Sequence, residues 1–192
     1  MANKIVLDLE TQKEFAEVGG RSAHSKLRVS VCGIYDYESD HYQCFDEKNL
    51  TKLGEMLQSA DLVIGYNIKQ FDFQVLQPYL NFSLDTVPTL DLLEEVEKIL
   101  GHRIRLEAIA QATLGVGKTG TGLRAIELWK QGRLDELKSY CLSDVKLTRE
   151  IYEFAKKNGK LLFQDFFEVR EIPLTILEPA PRLNTIVQSS LF

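Results

Sequence analysis

The order of elements along the chain predicts an α/β fold, a mixed sheet of five to six strands flanked by helices. Two observations carry this reading. Strand-like segments come first and in succession, as a meander. Short apolar strands then alternate with amphipathic helices, the pattern of a sheet that begins antiparallel and continues parallel. The chain has 192 residues, 44% of them hydrophobic and 27% charged, enough to bury one sizeable core without disulfides.

Residues 4–10, KIVLDLE, read as a buried strand ending in acids, and residues 27–35, LRVSVCGIY, alternate as a half-buried strand should. A third strand around Tyr42–Phe45 completes the meander. Leu50, Leu53 and Leu57 recur at helical spacing, and Leu62–Gly65 is a short parallel strand. A helix is expected from Lys69 to about Tyr79, with Pro78 near its end. Leu90–Leu100 carries an apolar pattern of either type. Leu106–Leu114 is an amphipathic helix stopped by Gly115, and Leu134–Lys157 is a long one stopped by Asn158-Gly159. The domain is expected to span 1–170. Residues 171–192, with Pro173, Pro179 and Pro181, are expected to form a tail that wraps it or moves freely.

Composition excludes several classes. The chain carries 23 Lys+Arg against 28 Asp+Glu, a net charge of −5, which argues against a broad basic surface for nucleic acid. No apolar run approaches ~18 residues, so no membrane span is expected. The start of the chain, MANKIVLDLE, is too short in apolar residues for a signal peptide. Cys32, Cys44 and Cys141 lack CxxC spacing, as ordinary thiols of a cytoplasmic protein would.

Acids at positions where the periodicity calls for apolar side chains are the informative residues. Asp8 and Glu10 lie two apart on the first strand and face the same way as Val6, while Ile5, Leu7 and Leu9 face the other. On the long helix, Asp144 falls within the apolar face made by Leu137, Cys141, Val145, Ile151 and Phe154, with Tyr140 one turn before it. Asp72 likewise falls among Phe71, Val75, Leu76 and Tyr79. One such carboxylate is usually structural. Four, from a strand and two helices, point to a common partner, since clustered acids repel and lose hydration unless something pairs them. Oxygen ligands without organised His or Cys select hard divalent cations, Mg2+ or Mn2+.

These residues carry a family resemblance. Asp8-Leu9-Glu10 resembles the first motif, D-x-E, of DEDD-type 3′→5′ exonucleases with a ribonuclease-H-like fold. Asn67-Ile68-Lys69-Gln70-Phe71-Asp72 resembles the second, and Tyr140-Cys141-Leu142-Ser143-Asp144 the third, in the form seen in the proofreading domains of family B DNA polymerases. The likeness covers roughly residues 3–157. The histidine subtype has His five residues before the last Asp, where Ser139 stands here; Tyr140 fits the tyrosine (DEDDy) subtype.

The resemblance implies a stand-alone metal-dependent exonuclease acting on the 3′ end of nucleic acid, DNA favoured and single-stranded. It implies two Mg2+ or Mn2+ ions, with Asp8 shared between them, Glu10 and Asp144 on the nucleophile side and Asp72 on the other. Tyr140 would orient the attacking water, and Asn67 and Phe71 would position the terminal nucleotide. The acidic balance then reads differently: two divalent ions offset most of the −5, and the positive charge that meets phosphate is mainly metal. Lys69, Arg103, Arg105, Lys118, Arg124 and Lys130 are candidate backbone contacts. The competing reading is a catalytically silent module of the same fold that binds nucleic acid or a replication partner.

Two further motifs stand outside this set. Ala112–Thr119 nearly matches the phosphate-binding Gly-x-x-x-x-Gly-Lys-Ser/Thr loop, but helix comes before loop here, whereas that loop follows a strand and opens a helix. A loop over 115–122 beside the substrate groove is the better expectation. The final five residues, with Gln188, Leu191 and Phe192, resemble the pentapeptide that docks on the bacterial sliding clamp.

Overall fold

The computed structural model describes residues 2–116, 122–166 and 168–178. The elements run β1 (Lys4–Thr11), α1 (Phe15–Val18), β2 (Val29–Asp36), β3 (His41–Asp46), α2 (Leu50–Ser59), β4 (Leu62–Gly65), α3 (Asp72–Leu76), β5 (Thr89–Asp91), α4 (Leu92–Leu100), α5 (Leu106–Leu114), α6 (Gly122–Lys130), α7 (Leu134–Asn158), β6 (Lys160–Asp165) and β7 (Glu168–Pro173). Five strands form one mixed sheet in the order β3-β2-β1-β4-β5. The β1–β2 and β2–β3 pairs are antiparallel, and β1–β4 and β4–β5 are parallel. The mixed sheet flanked by helices is the ribonuclease-H-like architecture expected.

Strand alternation divides the core in two. Ile5, Leu7 and Leu9 of β1 pack with Leu53 and Leu57 of α2 and with Phe73 and Leu76 of α3. Val6, on the opposite face, packs with Val145, Ile151 and Tyr152 of α7, Ile109 of α5 and Val96 of α4. Asp8 and Glu10 follow Val6 in register, so they emerge on the face that α7 covers. α6 joins Leu137 and Tyr140 of α7 through Ala125 and Leu128.

α7 comes unusually close to the sheet at one point. Gly33 of β2 pairs with Asp8, and a Cβ there would stand 2.9 Å from Cys141 Sγ, 3.0 Å from Val145 Cγ2 and 3.1 Å from Leu142 Cδ2. Glycine lets the long helix settle against β2 directly beside the acidic end of β1.

Three expectations need correction. The helix foreseen from Lys69 begins only at Asp72, and its last residues, Gln77–Tyr79, tighten to a 3-10 turn, since Pro78 has no N–H for the α ladder. Leu90–Leu100 is not one element: β5 ends at Asp91, whose carboxylate then accepts the Leu93 N–H at 3.1 Å and caps α4. The boundary placed between 170 and 171 falls inside β7, which pairs along its length with β6. Leu161, Phe163, Ile172 and Leu174 extend the α7-side core. Thr113 of α5 fixes this hairpin, its hydroxyl both donating to Leu162 O and accepting from Leu162 N at 3.0 Å.

Candidate active site

The site grows from the end of β1. Its pairing with β2 slips between Glu10 and Thr11, a bulge that ends the regular ladder just past the two acids. Asp144 comes down from α7. One carboxylate oxygen from each of Asp8, Glu10 and Asp144 lies within 4.8 Å of the others, with Glu10 and Asp144 buried. Asp144 is 2% exposed. Like charges so placed raise each other's energy, more so where water is scarce. The cluster could therefore hold a divalent cation, and its all-oxygen donors suit a hard one.

Asp72 stands beside this trio but is not part of it. It opens α3, is 4% exposed, and its Oδ1 accepts the Leu9 N–H at 3.0 Å. Burial and the neighbouring Asp8 charge push its carboxyl well above the usual carboxylate range, against the pull of that hydrogen bond. Tyr140 is buried one turn before Asp144. It lines a shallow depression with Arg124, Ser139 and Ser143.

Asp8, Glu10 and Asp72 open into a cleft of about 400 Å3 whose walls include Asn67, Phe71 and Phe15. Phe71 serves cleft and core together: it packs on the apolar cluster beneath and meets Phe15 edge-on, with ring centroids 6.1 Å apart. His24 contacts both rings, at 5.1 Å from Phe15 and 6.0 Å from Phe71.

The loop carrying Asn67 is held from below by Asp91. This buried carboxylate accepts the Asn67 N–H at 2.8 Å on Oδ1 and the Lys69 N–H at 3.1 Å on Oδ2. Asn67 adopts a left-handed φ of 68°, a conformation that Asn tolerates better than most residues. Arg103 then grips the loop from outside, donating to Asn67 Oδ1 and, at 2.7 Å, to Gln70 Oε1. Two of the other expected phosphate contacts are engaged elsewhere: Lys69 pairs with Glu94 at 2.7 Å and Lys130 with Glu17 at 2.8 Å.

Lys118, Gln188, Leu191 and Phe192 lie outside the described residues. The near-match to a phosphate-binding loop is preceded by α5, with Gly115 as its left-handed cap, so its approach is helical rather than from a strand.

Sequence reasoning missed Phe15, Lys13, Asp91 and Gly33. Lys13 and Phe15 follow the acidic strand end directly and line the cleft, but isolated residues in a loop carry no period. Asp91 did have a signal, an Asp immediately before a helical apolar pattern. Gly33 had none, because an interior strand glycine acquires meaning only once the covering helix is placed.

Among curated proteins none matches the chain. A family model described as the RNase_H superfamily matches residues 7–156, a span that holds the whole acidic site and nearly all of the five-stranded sheet. The chain belongs to the RNase H superfamily.

Proposed function

We propose that this protein is a metal-dependent 3′→5′ exonuclease of the DEDDy type, acting on single-stranded ends with DNA preferred. One observation carries the proposal: the carboxylates of Asp8, Glu10 and Asp144 converge within 4.8 Å at the head of a cleft that also holds Asp72 and an aromatic wall. A nuclease-like, metal-dependent module is what membership of the superfamily suggests; polarity and substrate are the finer part of the proposal.

Asp8, Glu10 and Asp144 would hold one divalent ion, and Asp72, beside Asp8, would help hold a second; Mg2+ or Mn2+ fits the donor set. When bound, such ions lower the pKa of water and stabilise charge on the leaving 3′ oxygen. The chain's own groups do the rest. Tyr140 directs its hydroxyl at the attacking water, a positioning role that needs no covalent step. Phe71 and Phe15 receive the terminal base against their rings, as aromatic side chains do with unstacked bases. Asn67, fixed by Asp91 and Arg103, presents polar atoms at the cleft rim.

Recruitment to the bacterial sliding clamp belongs to the same proposal. Gln188, Leu191 and Phe192 supply the polar and apolar anchors of such a docking peptide. Deleting 188–192 abolishes clamp capture and spares cleavage of short substrates; retained capture overturns this part.

The decisive experiment uses 5′- and 3′-labelled single-stranded DNA, duplex DNA and RNA, with Mg2+ or Mn2+ and with EDTA. The expected result is mononucleotide release from the 3′ end, a shortening ladder of 5′-labelled products, and no reaction in EDTA. Internal cuts, the opposite polarity, or no metal-dependent degradation overturns the proposal.

A further inference from the structure

The three cysteines are free thiols, and two of them meet at the back of the acidic site. Asp8, Gly33 and Cys44 form one row across the sheet, with Asp8 opposite Gly33 and Gly33 opposite Cys44. Residues directly opposite each other present their side chains on the same face, about 5 Å apart. Cys141 descends from α7 onto the middle of this row, its Sγ 2.9 Å from the place a Gly33 Cβ would occupy. Cys44 packs against the apolar cluster that contains Cys141, the two thiols lie within hydrogen-bond reach of each other, and Cys141 Sγ donates to the Asp8 carbonyl oxygen at 3.5 Å. Cys141 is buried, whereas Cys44 is only half-buried. Cys32 faces the other side of the sheet, in the α2–α3 core.

We propose that Cys44 and Cys141 are an oxidation site, a dithiol that closes to an intramolecular disulfide with peroxide and so reports oxidant directly to the backbone of Asp8. The half-exposed Cys44 sulfur attacks one oxygen of hydrogen peroxide, the O–O bond breaks, and Cys44 becomes a sulfenic acid as water leaves. The Cys141 sulfur then displaces the hydroxyl as a second water and the S–S bond forms. Two thiols lose two electrons and one peroxide becomes two waters. The neighbouring Cys141 thiol and the charge of Lys138 lower the pKa of the Cys44 thiol, against burial, in keeping with its place as the attacking sulfur. The bond removes the Cys141 contact to Asp8 O and draws α7, which carries Tyr140 and Asp144, toward β3.

The cross-link stands on geometry alone; its effect on activity rests on the nuclease reading above. The reduced full-length chain is exposed to stoichiometric hydrogen peroxide in EDTA, then unfolded in denaturant, alkylated and weighed. The expected product is lighter by two hydrogens, takes alkylation only at Cys32, and yields a peptide pair joining Cys44 to Cys141. Nuclease activity falls about a hundredfold, the scale of a 1 Å displacement in a positioned site, and dithiothreitol restores it. The Cys44→Ser variant forms no cross-link and keeps its activity through the same treatment. In Cys141→Ala, Cys44 stops at the sulfenic acid and is trapped by a dione reagent. A peptide map without the Cys44–Cys141 pair, disulfides only between chains, or equal inactivation of Cys44→Ser overturns the proposal. A fully reduced protein without nuclease activity counts against the nuclease reading instead, and the mass alone then decides the cross-link.

Discussion

β1 carries charge at both ends and handles it in opposite ways. At its start, Lys4 Nζ reaches Glu178 Oε1 at 2.9 Å and Lys156 Nζ reaches the same oxygen at 2.7 Å. Tyr152 donates its hydroxyl to that oxygen as well. Lys4 also lies 4.6 Å from the centre of the Tyr37 ring, where the aromatic face favours a cation. At the other end Asp8, Glu10 and Asp144 gather carboxylates of one sign within 4.8 Å. The first network sets opposite charges against each other and fastens the C-terminal segment. The second stores repulsion that a cation relieves. β1 thus carries a structural ion pair at one end and a candidate cation site at the other, told apart by charge complementarity and not by burial.

Neutralising one acid breaks the second arrangement most directly. Asp8→Asn and Asp144→Asn are expected to lower nuclease activity by roughly 10³-fold or more, the scale of losing a principal electrostatic group in a preorganised site. Both are expected to raise metal-free stability by about 1 kcal/mol, because a repelled charge is gone while the shape remains. Cleavage of labelled oligonucleotide and melting in EDTA measure the two effects. Loss of activity with equal loss of stability would make these acids part of the scaffold only.

Adding the cation is the converse test. Mg2+ or Mn2+ at about 100 times its dissociation constant is expected to stabilise the wild-type chain by about 2.7 kcal/mol, with EDTA reversing the gain. Asp8→Asn should lose most of it. The Lys4–Glu178 end gives the internal control: Glu178→Gln should keep the full metal response, since it touches only the ion-paired network at the other end of β1. A metal-induced rise in melting temperature that survives Asp8→Asn would place the ion elsewhere.

How much of this is legible in the sequence follows from where the information sits. Asp8, Glu10 and Asp144 break a clear period of two or of 3.6, so the faces they occupy can be read from the order of residues alone. Asp72 is readable in the same way, although the helix that carries it starts three residues later than the pattern suggests, because Asp91 holds the Asn67 and Lys69 amides in a loop. That restraint is tertiary and has no local signature. The β6–β7 hairpin escapes the sequence because Glu168–Pro173 is exposed almost throughout, so its alternation carries no apolar signal. β6 does alternate, with Leu161 and Phe163 buried, but two apolar positions past the Asn158-Gly159 stop are too few to establish a period of two. The approach of α7 to Gly33 is invisible for a different reason: it is a distance between segments far apart in the chain.

That approach is the next feature to disturb. Gly33→Ala puts a methyl group against Cys141, Val145 and Leu142 at 2.9–3.1 Å, and overpacking of this kind costs about 1–3 kcal/mol. Asp144 rides on the same helix, so activity should fall by more than stability explains, whereas Gly54→Ala, which meets the Leu80 side chain under α2 at 2.6 Å, should affect stability alone. Denaturant unfolding and single-turnover cleavage of both variants separate the two. Equal activity per folded molecule would mean that the acidic cluster tolerates a shifted α7.

The smallest expected effect lies at the ion-paired end. Burial pushes the Glu178 carboxyl up, but hydrogen bonds from Lys156, Tyr152 and Lys4 outweigh it and bring it down to about 2, from an ordinary 4.5. A depressed acid contributes stability that is fully present above its unfolded value and is lost as pH falls through its folded one. Glu178→Gln should therefore loosen the C-terminal segment at pH 7 by about 1 kcal/mol, and the difference from wild type should stay flat down to about pH 5 and shrink between 4.5 and 2. Exchange of the Leu174 amide, which donates to Gly159 O at 2.9 Å, reads this locally even where global unfolding does not. A wild-type advantage that persists below pH 2 would mean that Glu178 fastens the segment by packing and not by charge, and the contrast between the two ends of β1 would then rest on the acidic cluster alone.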